Sequence, residues 1–304
     1  ALAHGASGNW AGALFPRLSA SNLRIQAFYL EALAHTTRWL EALQAESPEL
    51  LWRPCGLSLY AKNGQQQEKL EQWLKADVYQ QVLHPVQAAS GERGVFVAAS
   101  GWVRPGEICR VLATHPRIRV LAGRNVEAMT PGETLWHVHC TGQAPRLYSR
   151  VLIAASWLSA RLTPLLQNRL RPVRGQIERI SSAYARAPLA SILCKEGYVL
   201  PEIQGYHVFG ASYERGQDVP QVTQAAVEGN LQRLRATAGN FLVTPDQAAA
   251  SLVESRAAIR AETQDHFPIY GQLAPGLLAS VGHGSRGLLT APYVAHLLAM
   301  MDPA

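Results

Sequence analysis

Cysteine is scarce in this sequence and never paired. Cys55, Cys109, Cys140 and Cys194 lie far apart, and no C-x-x-C motif occurs. Structural zinc and dithiol chemistry both call for closely spaced ligands. The expectation is therefore four reduced core thiols and no metal site; "HVHC" (His137 to Cys140) has the alternation of a strand. No apolar run approaches 18 residues, which excludes a membrane-spanning helix. No basic stretch followed by an apolar one comes after Ala1. That pattern leads to the expectation of a cytoplasmic protein that has lost its natural start. Internal repeats and low-complexity segments are also missing. Charged residues make up only 16%, and just four of the 28 basic residues are lysines (Lys62, Lys69, Lys75, Lys195).

The remaining 24 basic residues are arginines, and the net charge is +6 with a sequence pI of about 9.3. Arginine forks match phosphates and carboxylates. A basic balance suits an anionic partner such as nucleic acid; a compositional bias displayed on a solvated surface gives the same totals. A hydrophobic content of 48% over 304 residues supports a substantial core, in one large domain or two.

The chain opens on a small-residue loop, "GASGNWAGALFP" (Gly5 to Pro16). An amphipathic helix is expected from Asn22 to Leu43, capped by Asn22 or Ser21. Strands meeting at a Pro-Cys-Gly turn fit Leu51 to Ala61, and a helix fits Gln66 to Asp77. From Gly94 a strand leads through "GWVRP" to a helix beginning near Pro105. Ile118 to Gly123 (as a parallel strand), Val126 to Gly132, Leu135 to Gly142 and Arg150 to Ser156 are expected as successive strands, the middle pair a β-meander. Beyond "RPVRGQIERI", the segment Ile192 to Glu214 alternates apolar and polar residues between Gly and Pro turns, the pattern of an antiparallel sheet. A helix over Val222 to Ala238 follows. Strand and loop return over Ser251 to Leu273.

"GHGSRG" (Gly282 to Gly287) fits G-x-G-x-x-G. A dinucleotide fingerprint needs a strand before it, a helix after it, and an acidic residue about 20 positions on for a ribose. The strand is present as "GLLASVG", and the helix as "APYVAHLLAMM", with Pro292 in its first turn. The acidic residue is not, because the sequence stops at Ala304. This stretch is expected to be a glycine turn feeding a helix N-terminus.

Taken together, "GASGNWAGALFPRLS", "RVLIAASWLS", "RPVRGQIERI", "FGASYERG", "TQDHFPIYG" and "GSRGLLTAPYVAHLLA" resemble the FAD-dependent D-amino acid oxidase, glycine oxidase and sarcosine oxidase superfamily. Within it, they resemble the flavin domains of the bifunctional enzymes of tRNA 5-methylaminomethyl-2-thiouridine biosynthesis. The resemblance covers nearly the whole sequence. It implies an α/β (α+β) fold: a FAD-binding Rossmann-like domain of the D-amino acid oxidase type, interleaved with an antiparallel-sheet substrate domain. The FAD-binding part is expected over 1–50, 94–168 and 256–304, and the substrate part over 51–93 and 169–255. Such domains begin with a βαβ unit holding the ADP end of FAD. No segment of this sequence matches that unit, so a flavin domain without it is expected, as is poor FAD retention by residues 1–304 alone.

The resemblance further implies that the final glycine turn serves the isoalloxazine rather than the ADP. Gly282, Gly284, Ser285, Arg286, Gly287 and Leu288 would line it, with the helix N-terminus favouring negative charge on the reduced ring. Ala6, Ser7, Gly8 and Asn9 would offer backbone N–H groups to the flavin or its diphosphate. Ala154, Ala155 and Ser156 match a strand end under the cofactor, although the glycine usual there is missing. Arg260 matches the arginine that clamps a substrate carboxylate, and Tyr198 a tyrosine of the same pocket. His266, with Asp265, would lie near the flavin. The implied substrate is a tRNA wobble uridine bearing a carboxymethylaminomethyl group, oxidised at its glycine-like carbon. A methyltransferase, fused or separate, is the implied partner. Two other readings stay open: a free small-amine oxidase, and a non-catalytic remnant that binds RNA. If the arginines meet a phosphate backbone, the logarithm of tRNA affinity falls with the logarithm of salt by roughly 0.7 to 0.9 per phosphate contact. Filter-binding titrations at several salt concentrations measure that slope, and a flat profile rules out an electrostatic RNA surface.

Overall fold

The computed structural model describes residues 2–19, 21–49, 51–239, 241 and 252–301. Its dominant feature is a nine-stranded sheet in the order Glu214–Arg215, Arg171–Ser181, Tyr206–Gly210, Tyr198–Val199, Ile192–Cys194, Leu57–Tyr60, Arg93–Val97 and Leu83–Gln87. The ninth strand, Leu252–Glu262, runs antiparallel along almost the whole of Arg171–Ser181. Pairing is antiparallel as expected, except where Ile192–Cys194 meets Leu57–Tyr60 in parallel. The strands Arg93–Val97 and Leu252–Glu262 both cross the boundaries expected at 94 and 256.

Three smaller sheets complete the frame. Gly12–Leu14, Gly101–Val103 and Trp52–Arg53 form one. Trp52–Arg53 and Leu57–Tyr60 thus flank the Pro-Cys-Gly turn yet join different sheets. Val151–Ile153 pairs in parallel with Leu277–Val281, which pairs antiparallel with Ile269–Ala274. The expected meander gains a third strand, Arg146–Tyr148, beside Val126–Pro131 and Trp136–Cys140.

Strand periodicity gives Arg171–Ser181 two different faces. Val173, Gly175 and Ile177 look one way. Arg174, Gln176 and Glu178, all buried, look the other way, beneath the helix Gln224–Ala238. Buried polar groups favour partners, and these bond to one another and to the helix, leaving only Glu178 Oε2 without one among the described residues. Gln176 donates through Nε2 to Glu178 Oε1 (2.8 Å) and accepts at Oε1 from the Thr223 N–H (3.0 Å). Asn230 donates to the Gln176 carbonyl (2.9 Å) and to Glu178 Oε1 (3.0 Å). Arg174 pairs with Glu214 and donates through Nε to the Gln221 carbonyl at 2.8 Å.

The long helix Leu23–Glu46 is capped by Asn22, whose Oδ1 accepts from Ile25 N at 3.1 Å. It packs on the closing helix Gly287–Met301 through a cluster that includes Leu14, Tyr29, Leu33, Leu40, Leu289 and Tyr293. Thr36, fully buried, ties the two together by donating to the Leu289 carbonyl at 2.7 Å.

Three local expectations change. Ile118 to Gly123 forms no strand: Ile118 and Val120 are exposed, and the Ile118 N–H turns back to the His115 carbonyl (2.9 Å). The apolar alternation is there, but no sheet edge meets it. The closing helix begins at Gly287, four residues earlier than expected, so Pro292 lies inside it rather than in its first turn. Proline has no N–H for the preceding turn, and the helix accommodates that gap while packed against Leu23–Glu46. The four cysteines are free as expected and half-buried, and Cys55 and Cys194 pack against the core of the large sheet. Among the described residues no helix is long and apolar enough to cross a membrane. Because Asn230 supplies two donors to the buried polar ladder, Asn230→Ala is expected to destabilise the chain by about 3 kcal/mol. Urea unfolding measures that loss.

Candidate functional site

A cavity of about 1030 Å³ opens between the apolar face of the large sheet and the closing strand–turn–helix. Of the residues singled out in the sequence, Ala6, Ser7, Asn9, Ala154, Ser156, Tyr198, Arg260, Gly282, Gly284, Ser285, Arg286, Gly287 and Leu288 line it; Gly8, Ala155, Asp265 and His266 do not.

Arg260 sits on Leu252–Glu262, directly opposite Val173. Antiparallel partners share a face, so its side chain lies on the cavity side of the sheet. There it crosses Gly175: a Cβ at that glycine would collide with the guanidinium. Arg260 donates from Nη2 to the Ser212 carbonyl (3.4 Å), and its Cζ lies 5.4 Å from the Tyr213 ring centroid. Among the described residues no carboxylate lies within ion-pair distance of it. Burial lowers its pKa, a shift opposed by Tyr198, Tyr213 and Glu262, although arginine remains charged at neutral pH. Tyr198 faces the same space. Burial pushes its phenol up to about 12, so it is a neutral hydrogen-bond donor there.

Arg286 is the second cation of the cavity. Its guanidinium stacks on Phe15 (4.9 Å), Nη1 donates to Ser285 Oγ (3.4 Å), and the buried Nε has no partner among the described residues. Burial lowers its pKa too, with Arg260 and Arg17 acting in the same direction. Both arginines keep some accessible surface because they open into the cavity. Two desolvated cations thus face one cavity, with no ion-paired carboxylate among the described residues.

The glycine turn has its own logic. Gly282 (φ 74°) and Gly284 (φ 56°) are both left-handed, a conformation glycine adopts without strain. A Cβ on Gly282 would also meet Thr263 Cγ2 at 2.6 Å. The glycines are thus required by backbone shape and by the neighbouring segment 262–263, and the cavity lies along their other side. Between them, His283 accepts from or donates to Ser280 Oγ (3.0 Å, Nε2) and Thr290 Oγ1 (2.8 Å, Nδ1). Thr290 Oγ1 itself donates to the Arg286 carbonyl (3.1 Å). Nδ1 must therefore carry the proton, and Nε2 accepts from Ser280.

"GASGN" folds as a short 3-10 turn, Ala6–Gly8, with no side-chain cap. The Gly8 and Asn9 N–H groups are taken by the Gly5 and Ala6 carbonyls (3.0 and 3.2 Å), so only the first half of the loop has N–H groups to offer. Gly8 turns away from the cavity, where a Cβ would strike the Ala3 carbonyl and Arg256. Arg256, not foreseen, anchors the loop by donating to the His4 and Gly5 carbonyls (3.0 and 2.7 Å) and to Asn9 Oδ1 (3.3 Å). His266 departs furthest from expectation. Its φ of 63° turns the ring outward, where Nδ1 stands 3.9 Å from Glu262. Its carbonyl accepts from Tyr29 Oη (3.1 Å), and Asp265 is exposed beside it. Sequence reasoning missed Gly175, Ser212 and Tyr213, although all three lie in the motifs "RPVRGQIERI" and "FGASYERG".

The layout is a fold shared with solved structures of glycine oxidase and iminodiacetate oxidase. Glycine oxidase from Geobacillus kaustophilus superposes with a TM-score of 0.82 at 19% identity, covering 98% of this chain and 85% of that one. Iminodiacetate oxidase from Chelativorans sp. BNC1 gives 0.79 at 18%, covering 99% and 87%. The chain belongs to the FAD dependent oxidoreductase family, whose model matches residues 1–301. It is 32% identical over 336 aligned positions to the tRNA 5-methylaminomethyl-2-thiouridine biosynthesis bifunctional protein MnmC of Pseudomonas fluorescens, covering 98% of this chain and 50% of that protein. The protein of that name from Chromohalobacter salexigens is 30% identical, with 97% and 48% covered. The chain thus spans about half the length of these relatives.

The family's cofactor is FAD, and the residues present fit it. The cavity is large and edged by small residues. The buried Arg286 Nε lacks an acceptor, and the N-terminus of Gly287–Met301 opens onto the same space.

His283 makes stability pH-dependent. Burial lowers its pKa from 6.5 to about 4, so the folded chain binds fewer protons than the unfolded one between those values. Its contribution is complete above pH 6.5 and is lost as pH falls toward 4, roughly 3 kcal/mol in all. Urea midpoints across that range should fall steeply in the parent and less steeply in His283→Gln.

Proposed function

We propose that this chain oxidises the carboxymethylaminomethyl group of a tRNA wobble uridine, releasing glyoxylate and leaving the aminomethyl uridine. The observation that carries the reading is Arg260: a desolvated guanidinium over Gly175, with no carboxylate beside it among the described residues, in a family of FAD-dependent oxidoreductases. The group to be oxidised ends in a glycine-like carboxylate, the counter-ion this arginine lacks. Arg260 would take it as a fork, and Tyr198 would donate a further hydrogen bond from its neutral phenol. Fixing the carboxylate fixes the adjacent CH₂–NH within the cavity. Ala6, Ser7, Ala154, Ser156 and the segment Gly282 to Leu288 would hold FAD, which supplies a two-electron acceptor for the C–H beside nitrogen. Loss of a hydride from carbon and a proton from nitrogen leaves an imine, and water splits it to glyoxylate and the primary amine. Arg286 adds positive charge on the same wall.

The MnmC relatives support the RNA substrate by name and identity. A methyltransferase acting on the product amine, fused or separate, is part of this reading. So is the division into a FAD-binding part (1–50, 94–168, 256–304) and a substrate part (51–93, 169–255). A second reading, oxidation of a free small amine, draws on the same carboxylate clamp. Flavin reduction by glycine or N-methylglycine, with none by tRNA, would favour it.

In FAD-loaded enzyme, Arg260→Ala is expected to slow flavin bleaching by modified tRNA on the order of tenfold to several hundredfold. Arg260→Lys should recover part of the rate, because a point charge cannot reproduce the fork. Stopped-flow absorbance near 450 nm, beside a flavin count for each variant, checks both. An unimpaired Arg260→Ala removes the arginine from the site.

A further inference from the structure

Tyr213 has no part in the chemistry above, yet the Arg260 guanidinium of the clamp lies over its ring. It lines the cavity while keeping 42% of its surface exposed, so it stands where the cavity meets solvent. Its ring centroid lies 5.4 Å from Arg260 Cζ and 5.5 Å from Arg215 Cζ. Arg215 is exposed, and the Tyr213 hydroxyl faces the buried Glu262. The loop that carries it is held rigidly. Ser212 N donates to the Gln176 carbonyl (3.1 Å), and Ser212 Oγ accepts from Gln176 N (3.0 Å). On the other side, Glu214 is paired with the buried Arg174.

We propose that Tyr213, with Arg215 beside it, is the stacking platform for the nucleobase that carries the reacting group, and so selects an RNA substrate over a free amine. This rests on the substrate class proposed above. Four bonds separate the carboxylate carbon from the base ring. At about 1.5 Å per bond they span about 5 Å when extended, which matches the separation of Tyr213 from the Arg260 guanidinium. A flipped-out base needs an aromatic or guanidinium plane to replace the stacking it has lost. Arg215, exposed at the rim, is placed for the adjoining phosphate.

The test compares two substrates on FAD-loaded enzyme: an anticodon stem-loop RNA bearing 5-carboxymethylaminomethyl-uridine, and N-methylglycine. For Tyr213→Ala, KM for the stem-loop is expected to rise on the order of tenfold. The ratio of kcat/KM for stem-loop over N-methylglycine should fall by a similar factor. Tyr213→Phe should keep most of the parent ratio, because stacking needs the ring and not the hydroxyl. Flavin content and urea midpoints report whether each variant is folded. Equal losses on both substrates, or a Phe variant as impaired as Ala, would overturn the platform while leaving the RNA reading intact. A parent enzyme reduced by N-methylglycine that neither binds nor is reduced by the stem-loop would overturn the RNA reading, and the platform with it.

Discussion

The structure turns on one contact between neighbouring strands: the Arg260 guanidinium lying across Gly175. A half-buried charge on a sheet face needs both space and a fixed approach. The missing side chain at position 175 gives the space, and the register of Leu252–Glu262 on Arg171–Ser181 gives the approach. A slip of one residue would send every side chain of the strand to the opposite face, placing Arg260 under the helix Gln224–Ala238. The register is therefore a chemical requirement as well as a topological one.

The opposite face of the same strand guards against that slip. Arg174, Gln176 and Glu178 each have a partner fixed in place by Gln224–Ala238 or by the segment 214–223. Shifted by one position, they would face an apolar cavity wall, and Val173 and Ile177 would face the polar ladder. Each misplaced buried polar group costs about 1–3 kcal/mol. The two faces hold one another in register, and the interior polarity on the helix side supports the cationic site on the other.

Much of the fold was legible because local pattern decided it. Asn22 announces its helix as a cap, and the alternation from Ile192 to Glu214 gives an antiparallel sheet. The lining of the cavity was legible where motif and side-chain chemistry coincide: Arg260, Tyr198 and the turn from Gly282 to Leu288 all border it. It failed where a distant partner decides. Nothing near Gly175 in sequence shows that Arg260 will cross it. Nothing near Gly8 shows that Arg256 will take the space beside it. His266 has suitable chemistry, but a single left-handed φ turns it outward. Ile118 to Gly123 has a strand's composition, yet a strand also needs a neighbour.

The large sheet contains one parallel junction, where Ile192–Cys194 lies beside Leu57–Tyr60. Those strands are far apart in the chain, and the strand carrying Arg260 joins later still. High contact order of this kind slows folding, because loop closure precedes its reward. On a ribosome the consequence is a fixed order of assembly. The early strands emerge and must wait, with an open edge, for Ile192–Cys194 to arrive. The cavity that Arg260 lines cannot form until Leu252–Glu262 has left the exit tunnel, so its electrostatics belong to the last act of synthesis.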